Sequence, residues 1–235
     1  MRDHTDNAFL IHSRPYTDSR MLVDIFSEKF GMISGVYRLP RYRKNMSLPW
    51  QFLPIYVRWT GRHALKTILN LEQLRSTAPL KGVALYCGFY INELLLRLLP
   101  KDEPHQKLYS IYSKTIEKLG LNHALNNEIC LRQFELTMLQ ELGYGLDLSV
   151  DCEGGEISYN ENIYYIFEPE KGFVKIRNEG DSAPDAISGA TIADMAIERF
   201  DAAQVRLSTK KICRKMINHL LGDTLLKSRE LFRQF

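Results

Sequence analysis

Apolar and polar residues alternate with period two through the first third of the chain and with a helical period after it, and this change sets the expected architecture. Five alternating segments, 9–14, 21–26, 32–38, 52–59 and 65–74, predict β-strands. Turn-forming runs separate them: Arg14-Pro15-Tyr16-Thr17, Phe30-Gly31, Leu39-Pro40 and Thr60-Gly61. In the fourth segment Leu53, Ile55, Val57 and Trp59 fall on one face and Tyr56 and Arg58 on the other. In the fifth, Leu65, Thr67, Leu69 and Leu71 alternate with Lys66, Asn70 and Glu72. Five short strands are too few for a two-sheet sandwich of normal size. A small closed barrel over 1–79 buries their apolar faces and leaves no exposed edge.

Beyond Pro79, Leu85, Phe89, Asn92, Leu95, Leu96 and Leu99 form one helical stripe, with Ile91, Leu94 and Leu98 beside it, which predicts a helix buried on most sides. Pro100 and Pro104 end it and open a second helix through Leu108, Ile111, Tyr112, Thr115 and Leu119. A third, about 127–142, turns Leu131, Phe134, Met138 and Leu142 to the core, and Gly143 or Gly145 is placed to stop it. Residues 146–187 are rich in Asp, Glu, Gly and Asn; within them 157–159 and 163–167, separated by Asn160-Glu161-Asn162, predict a β-hairpin. Helix returns at Ser188 or Ala190, and a last helix from about Leu207 points Ile212, Met216, Ile217 and Leu220 inward. The expected fold is α+β, a five-stranded barrel over 1–79 and a mainly helical domain over 80–235 with a hairpin insertion at 146–187.

With 235 residues, 45% of them hydrophobic, the chain is long and apolar enough for one or two folded domains. The longest apolar run, 90–100, is interrupted by Asn92, Glu93 and Arg97, so no membrane span is expected. The polar N-terminus carries no apolar signal core, and a cytoplasmic location follows as the expectation. The net charge of +3 hides an asymmetry: residues 1–80 hold 12 Lys/Arg against 6 Asp/Glu, and the remainder 19 against 22. A basic module joined to a weakly acidic one suggests that the first meets a polyanion.

The chemistry-bearing residues favour binding over catalysis. The loop between the third and fourth strands reads Arg38-Leu39-Pro40-Arg41-Tyr42-Arg43-Lys44-Asn45. Its cations suit phosphates, releasing counterions, and Tyr42 suits stacking on an unpaired base. Arg14, Arg58, Arg62 and Lys66, at strand ends or on outward faces, would extend this patch. A second basic stretch, Arg206, Lys210, Lys211, Arg214 and Lys215, lies on the last helix, where spacings of three and four place these side chains away from Ile212 and Met216. Neither GxxxxGK[ST] nor GxGxxG is present for nucleotide phosphates, nor HExxH or GxSxG. The six histidines share no motif, and Cys87, Cys130, Cys152 and Cys213 form no CxxC pair, so neither a disulfide framework nor a metal site is expected. Asp147 and Asp151 are the one carboxylate pair open to a metal-dependent nuclease reading, although polar residues are routine beyond a helix terminus. Glu135, near the apolar face of the third helix, is expected in a buried pair with an arginine such as Arg97.

Several runs together resemble the RecO family of bacterial recombination mediators. They are Ala8-Phe9-Leu10-Ile11-His12-Ser13-Arg14-Pro15-Tyr16, Leu22-Val23-Asp24-Ile25-Phe26-Ser27-Glu28 with Gly31, Gly61-Arg62 and Leu65-Lys66-Thr67, Tyr90-Ile91-Asn92-Glu93-Leu94-Leu95, Leu131-Arg132-Gln133-Phe134-Glu135-Leu136, Glu141-Leu142-Gly143-Tyr144-Gly145-Leu146, and Leu226-Lys227-Ser228-Arg229-Glu230-Leu231-Phe232-Arg233. They span essentially the whole chain. The resemblance implies an N-terminal OB fold and a helical C-terminal domain, without nucleotide hydrolysis or a cofactor. It further implies binding of single- and double-stranded DNA, annealing of complementary strands, contact with the acidic C-terminal tail of single-stranded-DNA-binding protein, and association with RecR so that RecA loads onto coated DNA. Arg132 beside Leu131 is the expected cation for the acidic tail, and the location implied is cytoplasmic, at the nucleoid during repair. Two departures stand out. Many family members carry a four-cysteine zinc module after the third helix, where this chain keeps only Cys152, and Tyr37-Arg38-Leu39-Pro40-Arg41 replaces a common Lys-Gly-Ala-Arg run. An RNA-binding OB adaptor and a metal-dependent nuclease are the competing readings.

Overall fold

The computed structural model describes residues 3–39, 48–75, 79–121, 124–176 and 184–231. Five strands, β1 (Asp3–Thr17), β2 (Arg20–Ser27), β3 (Gly31–Arg38), β4 (Pro54–Thr60) and β5 (Leu65–Gln73), close into a barrel in the order β1-β2-β3-β5-β4. The helices are α1 (Gly82–Leu98), α2 (Gln106–Gly120), α3 (Ala124–Glu141), α4 (Gly189–Ala196), α5 (Ala203–Leu221) and α6 (Ser228–Leu231). Between α3 and α4, β6 (Tyr164–Glu168), β7 (Gly172–Lys175) and β8 (Ile187–Ser188) form a separate antiparallel sheet with β6 in the middle. The α+β architecture with an OB-like five-stranded barrel is therefore as expected. Among the described residues no helix is long and apolar enough to cross a membrane.

Closure of the barrel depends on β1. Its residues 3–9 pair with β4 and its residues 8–17 with β2, and a register shift between Leu10 and His12 lets it bend from one partner to the other. Polar Asp3 to Asn7 show no apolar alternation, which is why the sequence pattern marked only 9–14. Inside the barrel, Ala8, Leu10, Val23, Ile25, Ile33, Ile55, Val57, Trp59, Ile68 and Leu71 form one core. The fourth strand is oriented as expected, with Ile55, Val57 and Trp59 buried and Tyr56 and Arg58 exposed. The fifth is reversed. Lys66 and Ile68 are buried and Leu65 and Leu69 exposed, because Arg58 opposes Asn70 while Trp59 opposes Ile68, and the extra residue, Leu69, changes the parity before Leu71 re-enters the core.

Two compact units divide the chain, Met1–Asn127 with Leu226–Phe235, and Glu128–Leu225. In the first, Phe9 and Phe26 leave the barrel core and pack edge-on against Tyr112 of α2, at 4.9 and 6.0 Å between ring centres. Fully buried Tyr112 donates to Asn92 Oδ1 at 2.8 Å, and Asn92 Nδ2 donates to the Ile11 carbonyl at 2.9 Å, so α1, α2 and β1 share one satisfied buried network. The connection after α1 lies along β3: Asp102 N–H donates to Met32 O at 2.9 Å, and Lys101 Nζ sits 3.0 Å from Asp24 Oδ1. The C-terminal segment docks on α1. Glu93 accepts from Lys227 N (3.0 Å), Ser228 N (2.8 Å) and Ser228 Oγ (2.6 Å). Burial pushes the Glu93 carboxyl up, but these bonds and the Arg97 charge outweigh it and hold the group below the usual carboxylate range.

In the second unit, Phe134, Met138, Tyr165, Phe167, Phe173, Ile192, Ile212 and Met216 are buried. α3 stops where expected: Gly143 takes φ 84°, and Tyr144 N–H returns to Leu139 O at 2.8 Å. The hairpin differs from expectation. The expected strand 163–167 does not pair with 157–159; instead Tyr165 to Glu168 pair with β7, across a three-residue connection closed by Lys171 N–H to Glu168 O (3.1 Å) and by Gly172 at φ 85°. A left-handed residue after a tight turn matches the twist of a hairpin. Asn160 instead makes a side-chain turn, accepting from Asn162 N at 2.8 Å, and Ile157 is buried outside the sheet.

Candidate nucleic-acid interface

The β2–β3 ladder sets Arg20 opposite Arg38, Leu22 opposite Val36 and Asp24 opposite Ser34, and β1 adds Arg14 opposite Leu22 and His12 opposite Asp24. Because Val23, Ile25, Ile33 and Tyr37 point into the barrel, these partners lie on its outer face. Arg14, Arg20 and Arg38 are exposed, and no acidic side chain among the described residues pairs with any of them. Toward the helices the positive zone ends at Asp24, which accepts from Ser34 Oγ at 2.5 Å and Lys101 Nζ at 3.0 Å. At the other end, Leu39 N–H donates to Ser19 O at 2.9 Å, which brings the β1–β2 turn against the start of the basic loop. The Tyr16 side chain is open to solvent at this end (53% exposed), and Trp50 (52%) is exposed ahead of β4, with its N–H 3.5 Å from Gln73 Oε1. Arg41, Tyr42, Arg43 and Lys44 lie outside the described residues.

Sequence reasoning missed Arg20, Tyr16 and Trp50. Arg20 precedes the first apolar residue of its strand and gains meaning only once the 28–30 turn sets it across from Arg38. Of the expected extensions, Arg58 is on the outer face of β4, 3.9 Å from Asp3 Oδ2. Arg62 is exposed in the β4–β5 turn, and because β5 runs parallel to β3 with Leu65 beside Ser34, that turn lies toward the opposite end of the barrel from Arg38. Lys66 is not on an outward face. It is buried, its ammonium 3.0 Å from Asp102 Oδ2 and 2.9 Å from the His63 carbonyl. Lys66→Met is therefore expected to lower stability by about 1–2 kcal/mol while leaving the salt dependence of oligonucleotide binding unchanged, which urea melts and fluorescence anisotropy measure separately.

The cations of α5 do not form one face. Lys211 and Lys215 both turn to Asp185, at 3.6 and 2.9 Å, and Lys211 also donates to Pro184 O. The bond from Lys215 and the neighbouring Lys211 charge hold the Asp185 carboxyl below its usual range. Arg206 is committed to Glu128 (3.0 Å) and to the carbonyls of Phe200 and Asp201. Lys210 and Arg214 lie on another flank, facing α3. There burial, then repulsion from Arg214 and Arg132, pushes the half-buried Lys210 amine down, against the opposing charges of Glu128 and Glu135.

Arg132 itself is buried (3% exposed) and donates from Nη2 to Glu135 Oε1 at 2.7 Å, while Leu131 is half-buried. The buried partner of Glu135 is thus Arg132, three residues earlier on the same helix, and not Arg97, which is exposed on the last turn of α1. Arg132 Nε and Nη1 find no hydrogen-bond partner among the described residues. One oxygen of each of Asp147 and Asp151 is held in a local turn: Asp147 Oδ1 accepts from Ser149 N and Oγ, and Asp151 Oδ1 from Glu153 N and Gly155 N. Such side-chain turns account for both residues.

The chain was compared with known proteins. The family model for the Recombination protein O N terminal matches residues 1–77, and that for the Recombination protein O C terminal matches 80–230. The chain belongs to the RecO family. Its relatives include the DNA repair protein RecO of Methylococcus capsulatus, 38% identical over 230 residues and covering 97% of this chain and 92% of that protein. The DNA repair protein RecO of Haemophilus influenzae is 35% identical over 238 residues, covering 100% and 98%, and that of an Azoarcus species 34% identical over 233 residues, covering 97% and 94%. RecO membership places the chain in DNA repair and recombination. The zinc module of some RecO proteins does not fit this chain: Cys152 is alone, and among the described residues no group of three His, Cys, Asp or Glu is placed to hold a metal. The loop at Cys152 is instead tied by Asp151 and by Cys152 N–H to Phe173 O at 2.7 Å.

Proposed function

We propose that this RecO-family chain is a non-catalytic recombination mediator. It binds single- and double-stranded DNA through its barrel, anneals complementary strands, and with RecR helps load RecA onto DNA coated by single-stranded-DNA-binding protein, in the cytoplasm at the nucleoid. Its labour divides between a DNA half, 1–79, and a partner half, 80–235. The observation that carries the DNA half is the row Arg14, Arg20 and Arg38, exposed on the outer face of an OB-like barrel and without acidic partners among the described residues. Charge of this kind binds phosphates by counterion release, so affinity falls steeply with salt. The basic loop, with Arg41, Tyr42, Arg43 and Lys44, would extend it.

For the partner half, we infer that the acidic tail of single-stranded-DNA-binding protein meets Leu131 and the cations Lys210 and Arg214, while Arg132, the cation expected there, is buried behind them against Glu135. The positive charge gathered there, Arg132 and exposed Arg214 around half-buried Lys210, supports this reading. Arg132→Glu is a poor probe, since it sets a second carboxylate beside buried Glu135. Arg214→Glu, on an exposed side chain, tests it better: binding of a tail peptide followed by calorimetry is expected to weaken about tenfold. The decisive experiment for the whole reading is annealing of complementary strands precoated with single-stranded-DNA-binding protein. Acceleration is the expected result, and cleavage or RNA preference in its place would sink the reading.

A further inference from the structure

We propose that Arg20 and Arg38 form a phosphate clamp for an unpaired nucleic-acid strand, with Tyr16 beside them as the stacking surface for a neighbouring base. The proposal rests on the reading of the barrel as a DNA-binding surface and names the residues that hold the backbone. The β2–β3 register puts the two arginines directly opposite each other, on the outer face where both are exposed. Like charges directly opposite on one sheet face repel. Further along this face Asp24 is balanced by Lys101 and lies 3.8 Å from His12 Nδ1. The Arg20–Arg38 pair has no such counter-charge among the described residues, so an external anion is what would relieve it.

Cross-strand neighbours have Cα atoms roughly 5 Å apart, so both guanidinium forks reach the non-bridging oxygens of one phosphate. Arg14 lies one outward row further, next to half-buried Leu22 and Val36, and offers the next contact along the backbone. Tyr16 sits where the β1–β2 register shifts, between Pro15 opposite Met21 and Thr17 opposite Arg20. That irregularity takes its side chain out of the ladder and leaves it exposed beside Arg20. A duplex hides its base faces, whereas a single strand presents them for stacking, so the pairing of a cation clamp with a free aromatic ring favours the single strand.

The test uses the full chain, a fluorescent oligo(dT) and a salt titration. Arg20→Gln and Arg38→Gln are each expected to weaken binding about tenfold and to reduce the slope of log affinity against log salt by about 0.7. The double variant loses less than the product of the two, because the arginines share one phosphate. Tyr16→Ala weakens binding about tenfold with an unchanged slope. The Tm of the free Arg20→Gln protein rises by about 1 °C or more, since a repulsion is removed. If wild type binds the oligonucleotide while Arg20→Gln keeps its affinity and slope, or loses affinity with a lowered Tm, the clamp is wrong and the DNA reading stands. If wild type does not bind oligo(dT) even at low salt, both fall. Displacement of oligo(dT) by a polyglutamate peptide in the wild type but not in Arg20→Gln would assign the pair to an acidic protein and overturn the clamp.

Discussion

Glu135→Ala is expected to lower the stability of the second unit by about 3–5 kcal/mol, because it strips the counter-charge from a buried guanidinium. Arg132 and Glu135 are both almost fully inaccessible, and they meet at 2.7 Å. Half-buried Lys210 lies nearby, with its amine already pushed down by burial and by the positive charges of Arg214 and Arg132. Removing Glu135 therefore leaves an excess of buried or half-buried positive charge with little water to screen it. Cys213 gives an independent mark of the same site. Burial, then the Glu135 charge, pushes its thiol well above the usual range, so the Cys213 thiol should become easier to ionise in the variant. Both tryptophans, Trp50 and Trp59, are in the first unit, so the loss should appear in far-ultraviolet circular dichroism of urea melts more than in tryptophan fluorescence. The paired replacement Arg132→Met with Glu135→Leu should recover most of the stability, since a well-packed apolar pair does without the desolvation cost. A Glu135→Ala protein as stable as wild type would show that the ion pair is not the element holding α3 in place.

Gly31→Ala should cost about 3–5 kcal/mol, through left-handed strain and the loss of packing and hydrogen bonds around the turn. Gly31 has φ 69°, and a Cβ there would lie 1.7 Å from the Glu103 carbonyl oxygen, a backbone atom that cannot rotate away. The connection between α1 and α2 would have to lift off β3. That breaks the Asp102 N–H bond to Met32 O and strains the Lys66–Asp102 and Lys101–Asp24 pairs. Gly172→Ala is the internal control: Gly172 has φ 85° but nothing within 4 Å of an added Cβ, so only the conformational penalty of about 1 kcal/mol applies. Trp59 lies in the barrel core, so fluorescence-detected urea unfolding reads the Gly31 effect directly. Equal losses for the two glycines would mean that the Glu103 contact relaxes at no cost.

The limits of sequence reading follow from what each pattern encodes. Alternation in the fourth strand carried the true inward face because Ile55, Val57 and Trp59 are uninterrupted by any irregularity. The same alternation misled in the fifth, where Leu69 is an extra residue, and one extra residue swaps every later side chain to the other face. The face of α2 was legible, since Leu108, Tyr112, Thr115 and Leu119 have one helical solution. On α1, by contrast, Asn92, Leu95 and Leu99 of the expected stripe are buried but Leu85, Phe89 and Leu96 are half-buried, and the face turns through Ala84, Cys87, Gly88 and Ile91. Charges were different. Lys210, Lys211, Arg214 and Lys215 share a helix but serve two neighbourhoods, and only packing against Asp185 on one side and Arg132 on the other separates them.

The family-bearing runs, the strand-then-helix order and the basic bias of the barrel were determined by the amino-acid sequence alone, since periodicity and composition are properties of the chain. Which cations face outward was decided by tertiary structure. Lys66 turned inward to Asp102 and Arg132 became a buried partner of Glu135, while Arg20, unremarkable in sequence, came to stand against Arg38. A charge acquires its role from its neighbours across strands and helices, and those neighbours are set by register and packing, which no local pattern records.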